Sequence, residues 1–392
     1  FLKISNMKKI RLFKPSIGVD ELKNIKKVFK KSWLGYGPLV KNFEKKFAKF
    51  IGTKYAVGVN SGTAALHLSI LCHNFKKGKK VLVPAITFSA TAASVLYCGL
   101  KPKFVDINPN NLTLDFEDLK RKYSKDCVAI ICVHMGGHPC QMERILPWAK
   151  KKKLLIIEDC AETCGAIYKR RKLGTWSDIS CFSFEEKKII TTGDGGMICL
   201  NNKDKFNKLK SLSFHGWDVD PWQRHENSFG KKKYYSKHWN YKIKNLGYKY
   251  NMNDLMAAIG IAQLKKINIF NKKRNNILKK YLIGIKNCKN IKPVYPYILR
   301  NSSYWLFSIK TKYRDDLINF LKRKNISTAV HFVPLPLNEI YKKYKNNLKN
   351  TMKVWKEIVS LPFFPDLENK KIKYIINCIK QFDKKIENHE NL

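Results

Sequence analysis

The amino-acid sequence predicts an α/β fold in which helices cover both faces of a mainly parallel sheet, followed by a smaller C-terminal α/β domain. Two observations predict it. Short β-branched runs recur through the first half of the chain, most of them about 25 residues apart, which leaves room for a crossover helix between parallel strands. The runs are also apolar along most of their length, as strands are when both faces of their sheet are buried.

The first half of the chain contains seven predicted strands: Tyr55–Val59, Lys80–Val83, Lys103–Asp106, Val128–His134, Leu154–Glu158, Ile179–Phe184 and Met197–Leu200. Helical patterns fill several of the gaps, at Thr63–Leu71, Ala90–Tyr97, Leu114–Tyr123 and Met142–Lys152. The gap between the last two strands is too short for a helix with two loops, so we expect that pair to be antiparallel.

The pattern changes after residue 201. Residues 202–213 are helical in pattern, and His215–Lys244 is an aromatic and basic stretch without a period, the kind of long loop that is usually functional or interfacial. The remaining predicted elements are the helices Asn253–Leu264, Lys265–Leu282, Asp315–Lys324 and Lys370–Phe382 and the strand Tyr304–Ile309. We therefore expect a large domain over residues 7–265, with an N-terminal arm, and a small domain over residues 266–392.

The chain is strongly basic. Lys and Arg total 77 against 30 Asp and Glu, which gives a formal net charge of +47. The lysines are scattered along the sequence, and no zinc-finger or RNA-binding signature accompanies them, so we do not expect nucleic acid as the main partner. A broad positive field that attracts a small anionic substrate is the better interpretation.

The cysteines and the apolar segments indicate a soluble, cytoplasmic protein. The 11 cysteines include no C-x-x-C pair, and most lie inside apolar runs, which is typical of reduced, buried thiols rather than of disulfides or a metal site. The uncharged stretch Val81–Leu100 is long enough to span a bilayer. Pro84 and Gly99 within it favour a buried strand followed by a buried helix, so we expect no membrane segment.

Polar clusters lie at the ends of predicted strands, where open α/β sheets bind their ligands. In Asn60–His67, the turn at Gly62 and Thr63 begins a helix whose backbone N–H groups suit a phosphate. An ordinary helix cap by Ser61 or Thr63 would explain the same pattern.

Two further clusters carry a carboxylate and a lysine. Asp159 follows a buried strand, where its charge is costly unless a cation pairs with it. It is a candidate to bind a protonated ring nitrogen or a metal, or to cap the next helix. Lys187 and Lys188 follow a strand that ends in Phe-Ser-Phe, and a lysine held there can form a Schiff base if its amine stays partly unprotonated.

The sequence around these lysines is similar to that of a known family. Phe-Ser-Phe, a lysine five residues after the serine and Thr-Thr-Gly-Asp-Gly-Gly resemble the DegT/DnrJ/EryC1/StrS family of sugar aminotransferases, which depend on pyridoxal 5′-phosphate (PLP). The resemblance covers nearly the whole chain in the same order, at Trp33–Pro38, Asn60–His67, Pro84–Ala92, Glu158–Gly165, Gly174–Asp178, Gly247–Asp254, Ala257–Gly260, Val330–Leu335 and Leu361–Pro362. It implies the type I aminotransferase fold, with a mainly parallel seven-stranded sheet, a small C-terminal α/β domain and a homodimer that shares its active sites.

The resemblance also implies roles for single residues. Lys188 would bind PLP covalently and later carry protons, and its spacing from Ser183 selects it over Lys187. Asp159 would pair with the pyridinium nitrogen, which keeps the ring an electron sink. The other implied cofactor contacts are Phe88 on the ring face, Glu162 near the ring, Gly62, Thr63 and Ser183 on the phosphate, and Asn251 on the phosphate of the neighbouring subunit's cofactor.

Three features bear on how far the resemblance reaches. Glu162 stands where many members carry Gln or His, and Asp194 replaces the commoner Glu. A branch of the family that acts as dehydratases has His in place of the cofactor lysine, and Lys188 argues against that branch here.

The leading functional hypothesis is transfer of an amino group from L-glutamate to a nucleotide-linked keto-6-deoxyhexose, at C4 in preference to C3. The nucleotide diphosphate is an anion that the basic surface would attract. His331, Trp217 and Tyr36 are the candidate substrate residues. The alternatives are a PLP enzyme that acts on a non-nucleotide keto-cyclitol and a basic binding protein that keeps the fold without catalysis.

Overall fold

A computed structural model describes residues 8–228, 239, 241–295 and 302–390 of the chain. The strands before residue 201 are β1 (Tyr55–Val59), β2 (Lys80–Pro84), β3 (Lys101–Val105), β4 (Cys127–Val133), β5 (Leu155–Asp159), β6 (Ile167–Tyr168), β7 (Arg171–Lys172), β8 (Ile179–Ser183) and β9 (Gly196–Leu200). Strands β6 and β7 form a small hairpin, and the others form one seven-stranded sheet in the order β1-β9-β8-β5-β4-β2-β3.

The sheet is mainly parallel, as predicted. Only β9 runs against its neighbours, β1 on one side and β8 on the other, which confirms the antiparallel pair expected from the short gap. Alternate side chains of β4 enter two different hydrophobic clusters: Ala129 and Ile131 lie in one, Ile130 and Cys132 in the other. Both faces of the sheet are therefore covered, and this explains why its strands are apolar at nearly every position.

Helices precede, connect and follow these strands. In chain order they are α1 (Val19–Lys30), α2 (Pro38–Ile51), α3 (Gly62–Leu71), α4 (Ser89–Tyr97), α5 (Phe116–Lys122), α6 (Met142–Lys151), α7 (Lys203–Ser213), α8 (Pro221–Ser228) and α9 (Asp254–Gly284). Among the described residues, none of these helices carries an apolar run long enough to cross a bilayer. The uncharged stretch at residues 81–100 forms most of β2 and all of α4.

The C-terminal part is built around a second, antiparallel sheet. Its strands are β10 (Lys292–Pro293), β11 (Phe307–Lys310) and β12 (Ile358–Leu361), and its helices are α10 (Arg314–Arg323), α11 (Lys349–Glu357) and α12 (Asn369–Glu390). The N-terminal arm crosses this part, where Ile10 pairs with Ile326, and then leads to α1.

The patterns at Asn253–Leu264 and Lys265–Leu282 form one continuous helix, α9. The expected domain boundary at residues 265 and 266 lies within this helix, and the division into two domains stays a prediction. The stretch His215–Lys244, predicted to be a loop, contains the helix α8. Residues 229–238 and 240 of that stretch lie outside the described residues.

Candidate active site

A cavity of about 340 Å³ opens at the carboxyl ends of the parallel strands. The ends of β4, β5 and β8 border it, together with the helix starts that follow β1 and β2. Of the sequence-predicted site residues, this cavity brings together Gly62, Thr63, Phe88, Asp159, Glu162, Ser183, Lys188 and His331.

The two adjacent lysines have different surroundings. Lys188 is half-buried, and its Nζ lies 3.8 Å from the ring centroid of Trp305 inside the cavity. Lys187 is exposed at the cavity edge, and its Nζ pairs with Glu185 at 3.3 Å and with Glu186 at 3.8 Å. The geometry therefore supports Lys188 as the amine that serves the site.

The Thr-Thr-Gly turn shapes the loop that carries Lys188. The backbone N–H of Thr192 and the hydroxyl of Thr191 both donate to the carbonyl of Phe184, at 2.9 and 3.1 Å. The N–H of Phe184 donates to the carbonyl of Gly195 at 2.9 Å. Gly195 has a φ of +155°, and a Cβ there would lie 2.3 Å from Oγ1 of Thr192. These contacts close the base of the loop, which explains why a polar, glycine-rich segment follows the lysine.

Asp159 ends β5 as a buried carboxylate. The hydroxyl of Thr91 donates to its Oδ2 and the N–H of Ala161 to its Oδ1, both at 3.1 Å. Burial raises the pKa of Asp159 in spite of these bonds and of the nearby positive charge of Lys188. No ion pair to Asp159 forms among the described residues, so a cationic ligand group would compensate a charge that the protein leaves unpaired.

Glu162 is a second buried acid in the same cavity. Its Oε2 accepts the backbone N–H of Gly136 at 2.6 Å. Burial raises the pKa of Glu162 to about 7, although Lys188 and the Gly136 N–H act in the opposite direction. This carboxyl group therefore changes its charge near neutral pH.

The first turn of α3 forms a cradle with Ser183. Oγ of Ser61 accepts the N–H of Ala64 at 3.1 Å, so Ser61 is the helix cap, one of the two residues that the sequence left open. The N–H groups of Gly62 and Thr63 belong to the first turn, where a helix has no acceptor for them. A Cβ on Gly62 would lie only 2.8 Å from Cβ of Ser183, so glycine is what allows this close approach.

An aromatic wall closes the other side of the cavity; sequence reasoning named its members His331 and Phe88 but not Phe13, Trp305 or Phe332. Phe13 stacks on Trp305 with ring centroids 5.2 Å apart, and His331 packs edge-on against Trp305 at 5.3 Å. Phe332 contacts Phe88 edge-on at 5.9 Å. Burial, reinforced by the charges of the two neighbouring lysines, lowers the pKa of His331 to about 4, so its ring is neutral at physiological pH.

Three predicted residues lie outside this cavity. Tyr36 and Trp217 line a separate cavity of about 600 Å³, where the hydroxyl of Tyr36 contacts Lys210 and Glu44. Asn251 pairs through its backbone with Val59 at the end of β1. Within one chain these residues do not reach the cavity beside Lys188, and their roles stay predictions.

The ligand atoms of His134, Glu158 and Cys160 lie within 4.8 Å of one another behind Asp159, an arrangement that resembles a metal site. Nδ1 of His134 accepts the N–H of Cys140 at 3.1 Å, which leaves Nε2 to donate to Glu158 at 3.1 Å. Glu158 also accepts the N–H groups of Gly174 and Ser177, at 2.8 and 2.9 Å. A metal would displace these hydrogen bonds, so the contacts indicate that His134 and Glu158 hold the loop after β5 in place.

The donor groups of the cavity suit PLP. Lys188 offers an amine for the aldehyde, the unpaired carboxylate of Asp159 suits a protonated ring nitrogen, and the cradle at Gly62 and Ser183 suits a phosphate. Together with the sheet topology, they indicate a PLP-dependent enzyme of the type I fold.

Comparison with known proteins gives the family. Residues 15–380 match the DegT/DnrJ/EryC1/StrS aminotransferase family, and the chain belongs to that family. It is 33% identical to GDP-perosamine synthase of Escherichia coli O157:H7, over 96% of this chain and 99% of that protein. It is 32% identical to the spore coat polysaccharide biosynthesis protein SpsC of Bacillus subtilis, over 94% and 96%. The putative sugar aminotransferase Spr1654 of Streptococcus pneumoniae in its PLP form superimposes with a TM-score of 0.87 at 25% identity, over 96% of this chain and 99% of that one. The chain is thus an aminotransferase whose cofactor is PLP.

Proposed function

We propose that this enzyme transfers the amino group of L-glutamate to the ketone of a nucleotide-linked 4-keto-6-deoxyhexose. The observation that carries the proposal is the meeting of Lys188, Asp159 and the α3 cradle in one cavity. The sugar substrate is supported by similarity, at 33% and 31% identity, to two relatives named GDP-perosamine synthase. The net charge of +47 favours a substrate that carries a diphosphate.

When bound, PLP supplies an electron sink that makes a proton on the neighbouring substrate carbon labile. Lys188 is the residue that we assign to covalent attachment, and its amine, once free, takes and returns protons at the substrate carbon and at the cofactor carbon. One base suffices for both positions because both carbons flank the same nitrogen.

The other cavity residues hold the cofactor in this proposal. Asp159 would keep the ring nitrogen protonated, Phe88 would contact the ring, and Glu162 would lie near the ring. The N–H groups of Gly62 and Thr63 and the hydroxyl of Ser183 bind the phosphate. His331 contacts the sugar substrate from the aromatic wall.

We further propose a homodimer in which each chain completes the site of the other. Ile243, inside the aromatic stretch His215–Lys244, is 68% exposed in the isolated chain, and the nearby Leu246 is 90% exposed. A partner chain would cover these apolar side chains. It would also bring Asn251, Tyr36 and Trp217 to the site beside Lys188.

A substrate screen tests the proposal. The purified enzyme is incubated with glutamate and with GDP-, UDP- or dTDP-linked 4-keto-6-deoxyhexoses, and products are identified by mass. We expect a mass increase of about one unit, because an amino group and a hydrogen (about 17) replace a carbonyl oxygen (about 16), first with the GDP-linked sugar, and no product with Lys188→Ala prepared in the same way. If only an unlinked keto-cyclitol is converted, the substrate is not nucleotide-linked and the proposed substrate class is wrong. Absence of turnover with every ketone would favour a binding protein.

A further inference from the structure

The amine of Lys188 lies over an aromatic face that comes from the C-terminal part of the chain. Trp305 precedes β11, and the centroid of its ring is 3.8 Å from Nζ of Lys188. An ammonium group at this distance is attracted by the negative face of the indole.

The indole is fixed in this position from several sides. Its Nε1–H donates to the carbonyl of Lys187 at 2.7 Å, which ties the ring to the loop of the lysine itself. Phe13 stacks on the ring with an interplanar angle of 8°, and His331 packs on it edge-on. The backbone N–H of Trp305 donates to the carbonyl of Gly136 at 2.9 Å, and the side chain is buried. The ring is therefore pre-positioned rather than packed by chance.

The attraction depends on the state of the lysine. The released lysine, when protonated, is an ammonium group with three N–H bonds and a localised charge, whereas a lysine nitrogen bonded to the cofactor would share its charge with the cofactor and keep at most one N–H. In an aminotransferase the lysine alternates between these states, because it must be released before the amino group can be transferred.

We propose that the indole of Trp305 provides a second binding position for the Lys188 side chain. The ring holds the free, protonated end of the lysine beside the cofactor whenever the lysine is not bonded to the cofactor. The inference rests on the proposed role of Lys188. Trp305 acts through the lysine, so it is a positioning residue.

The proposal has a thermodynamic consequence that does not require turnover. Pyridoxamine phosphate leaves Lys188 free and preserves the contact, whereas PLP bonds to the lysine and loses it. Removal of the indole should therefore favour PLP over pyridoxamine phosphate. The expected change in the ratio of the two dissociation constants is about two- to thirtyfold, the range that corresponds to exposed and desolvated cation–π contacts.

The experiment measures both dissociation constants on the full-length apoenzyme with Trp305, Trp305→Phe and Trp305→Leu. Each is made with Lys188 and with Lys188→Ala. We expect the ratio of the PLP constant to the pyridoxamine phosphate constant to fall at least twofold in Trp305→Leu, and less in Trp305→Phe, which keeps a weaker aromatic face. Trp355→Phe, in α11, is the matched control and should leave the ratio unchanged.

In the Lys188→Ala background the ratio should not respond to Trp305. An equal response in both backgrounds would show that the indole acts on the cofactor directly. An unchanged or increased ratio with Lys188 present would show that the indole does not hold the released lysine. Either result overturns the inference. Borohydride reduction and peptide mapping of the same samples separate this from failure of the proposed function, because attachment to another lysine would contradict the role of Lys188 itself.

Discussion

Replacement of Asp159 by asparagine should have opposite effects on the empty and the loaded protein. Asparagine has nearly the same shape, and its Oδ1 can still accept the N–H of Ala161. The hydroxyl of Thr91, which donates to Asp159, also contacts the hydroxyl of Thr87 at 2.8 Å. It can turn to donate to Thr87 and accept from the new amide, so we expect the fold to be retained.

The charge of the Asp159 carboxylate determines how much the substitution changes the stability of the apoprotein and its affinity for PLP. Because burial raises the pKa of Asp159 in the folded chain, its ionised form costs stability at neutral pH when no cation is bound. The Asp159→Asn apoprotein should therefore melt at or above the temperature of the parent. A hydrogen bond to a charged partner contributes about 1.5–3 kcal/mol, so the affinity for PLP should fall about tenfold to 150-fold. Turnover should fall by orders of magnitude, since the ring nitrogen loses the group that keeps it protonated.

The assay combines thermal unfolding of the apoprotein, titration with PLP and single-turnover reaction with glutamate. A destabilised apoprotein would refute the reasoning about the unpaired charge. Affinity and turnover close to those of the parent would refute the assignment of Asp159 to the ring nitrogen.

Three further outcomes are expected. Burial raises the pKa of Glu162 from 4.5 to about 7, so its protonated form stabilises the fold, and this contribution is lost as the pH rises through 7. Between pH 5 and 8 the unfolding free energy of the parent apoprotein should therefore fall by about 2–3 kcal/mol more than that of Glu162→Gln. Equal losses in urea titrations of the two proteins would contradict this. Gly62→Ala places a Cβ 2.8 Å from Ser183, so PLP titration should show at least tenfold weaker binding, and affinity equal to that of the parent would show that the cradle tolerates the methyl group. Mixed dimers of Lys188→Ala and Asn251→Ala chains should regain activity in one of their two sites; if mass measurement confirms subunit exchange and activity stays at background, Asn251 does not serve the partner's site.

The sheet could be predicted because its signals are local, whereas the cavity residues were named through the family resemblance. Buried parallel strands are apolar at nearly every position, and β4 sends alternate side chains into two cores, so each strand is recognisable by itself. Lys188 could be distinguished from Lys187 by its spacing from Ser183, and the structure gives the physical counterpart, since one amine lies in the cavity and the other pairs with surface carboxylates.

The stacking of Phe13 on Trp305 in the aromatic wall could not be predicted because it joins distant parts of the chain. Trp305 lies in a segment whose pattern predicts a core strand. In the structure its backbone N–H donates to the carbonyl of Gly136, and its ring faces Lys188. Phe13 reaches it along the N-terminal arm. No periodicity within either segment indicates that these side chains meet.

Tyr36 and Trp217 show the limit of reasoning from residue type. Tyr36 was selected within the family motif Trp33–Pro38 and Trp217 within the aromatic stretch His215–Lys244, and both border the cavity of about 600 Å³ instead of the one beside Lys188. In the proposed dimer, their contact with a substrate would require a second chain, which a single sequence does not describe.

Identification of the residue that carries the reduced cofactor tests the central claim most directly. The PLP-loaded enzyme is treated with borohydride, digested, and searched by mass spectrometry for the peptide that carries the phosphopyridoxyl group, with Lys187→Ala and Lys188→Ala treated in parallel. We predict a single modified site at Lys188, retained in Lys187→Ala and absent from Lys188→Ala together with the absorption band of the bound cofactor. Modification at Lys187, or a reducible cofactor that remains in the Lys188→Ala protein, would contradict the account.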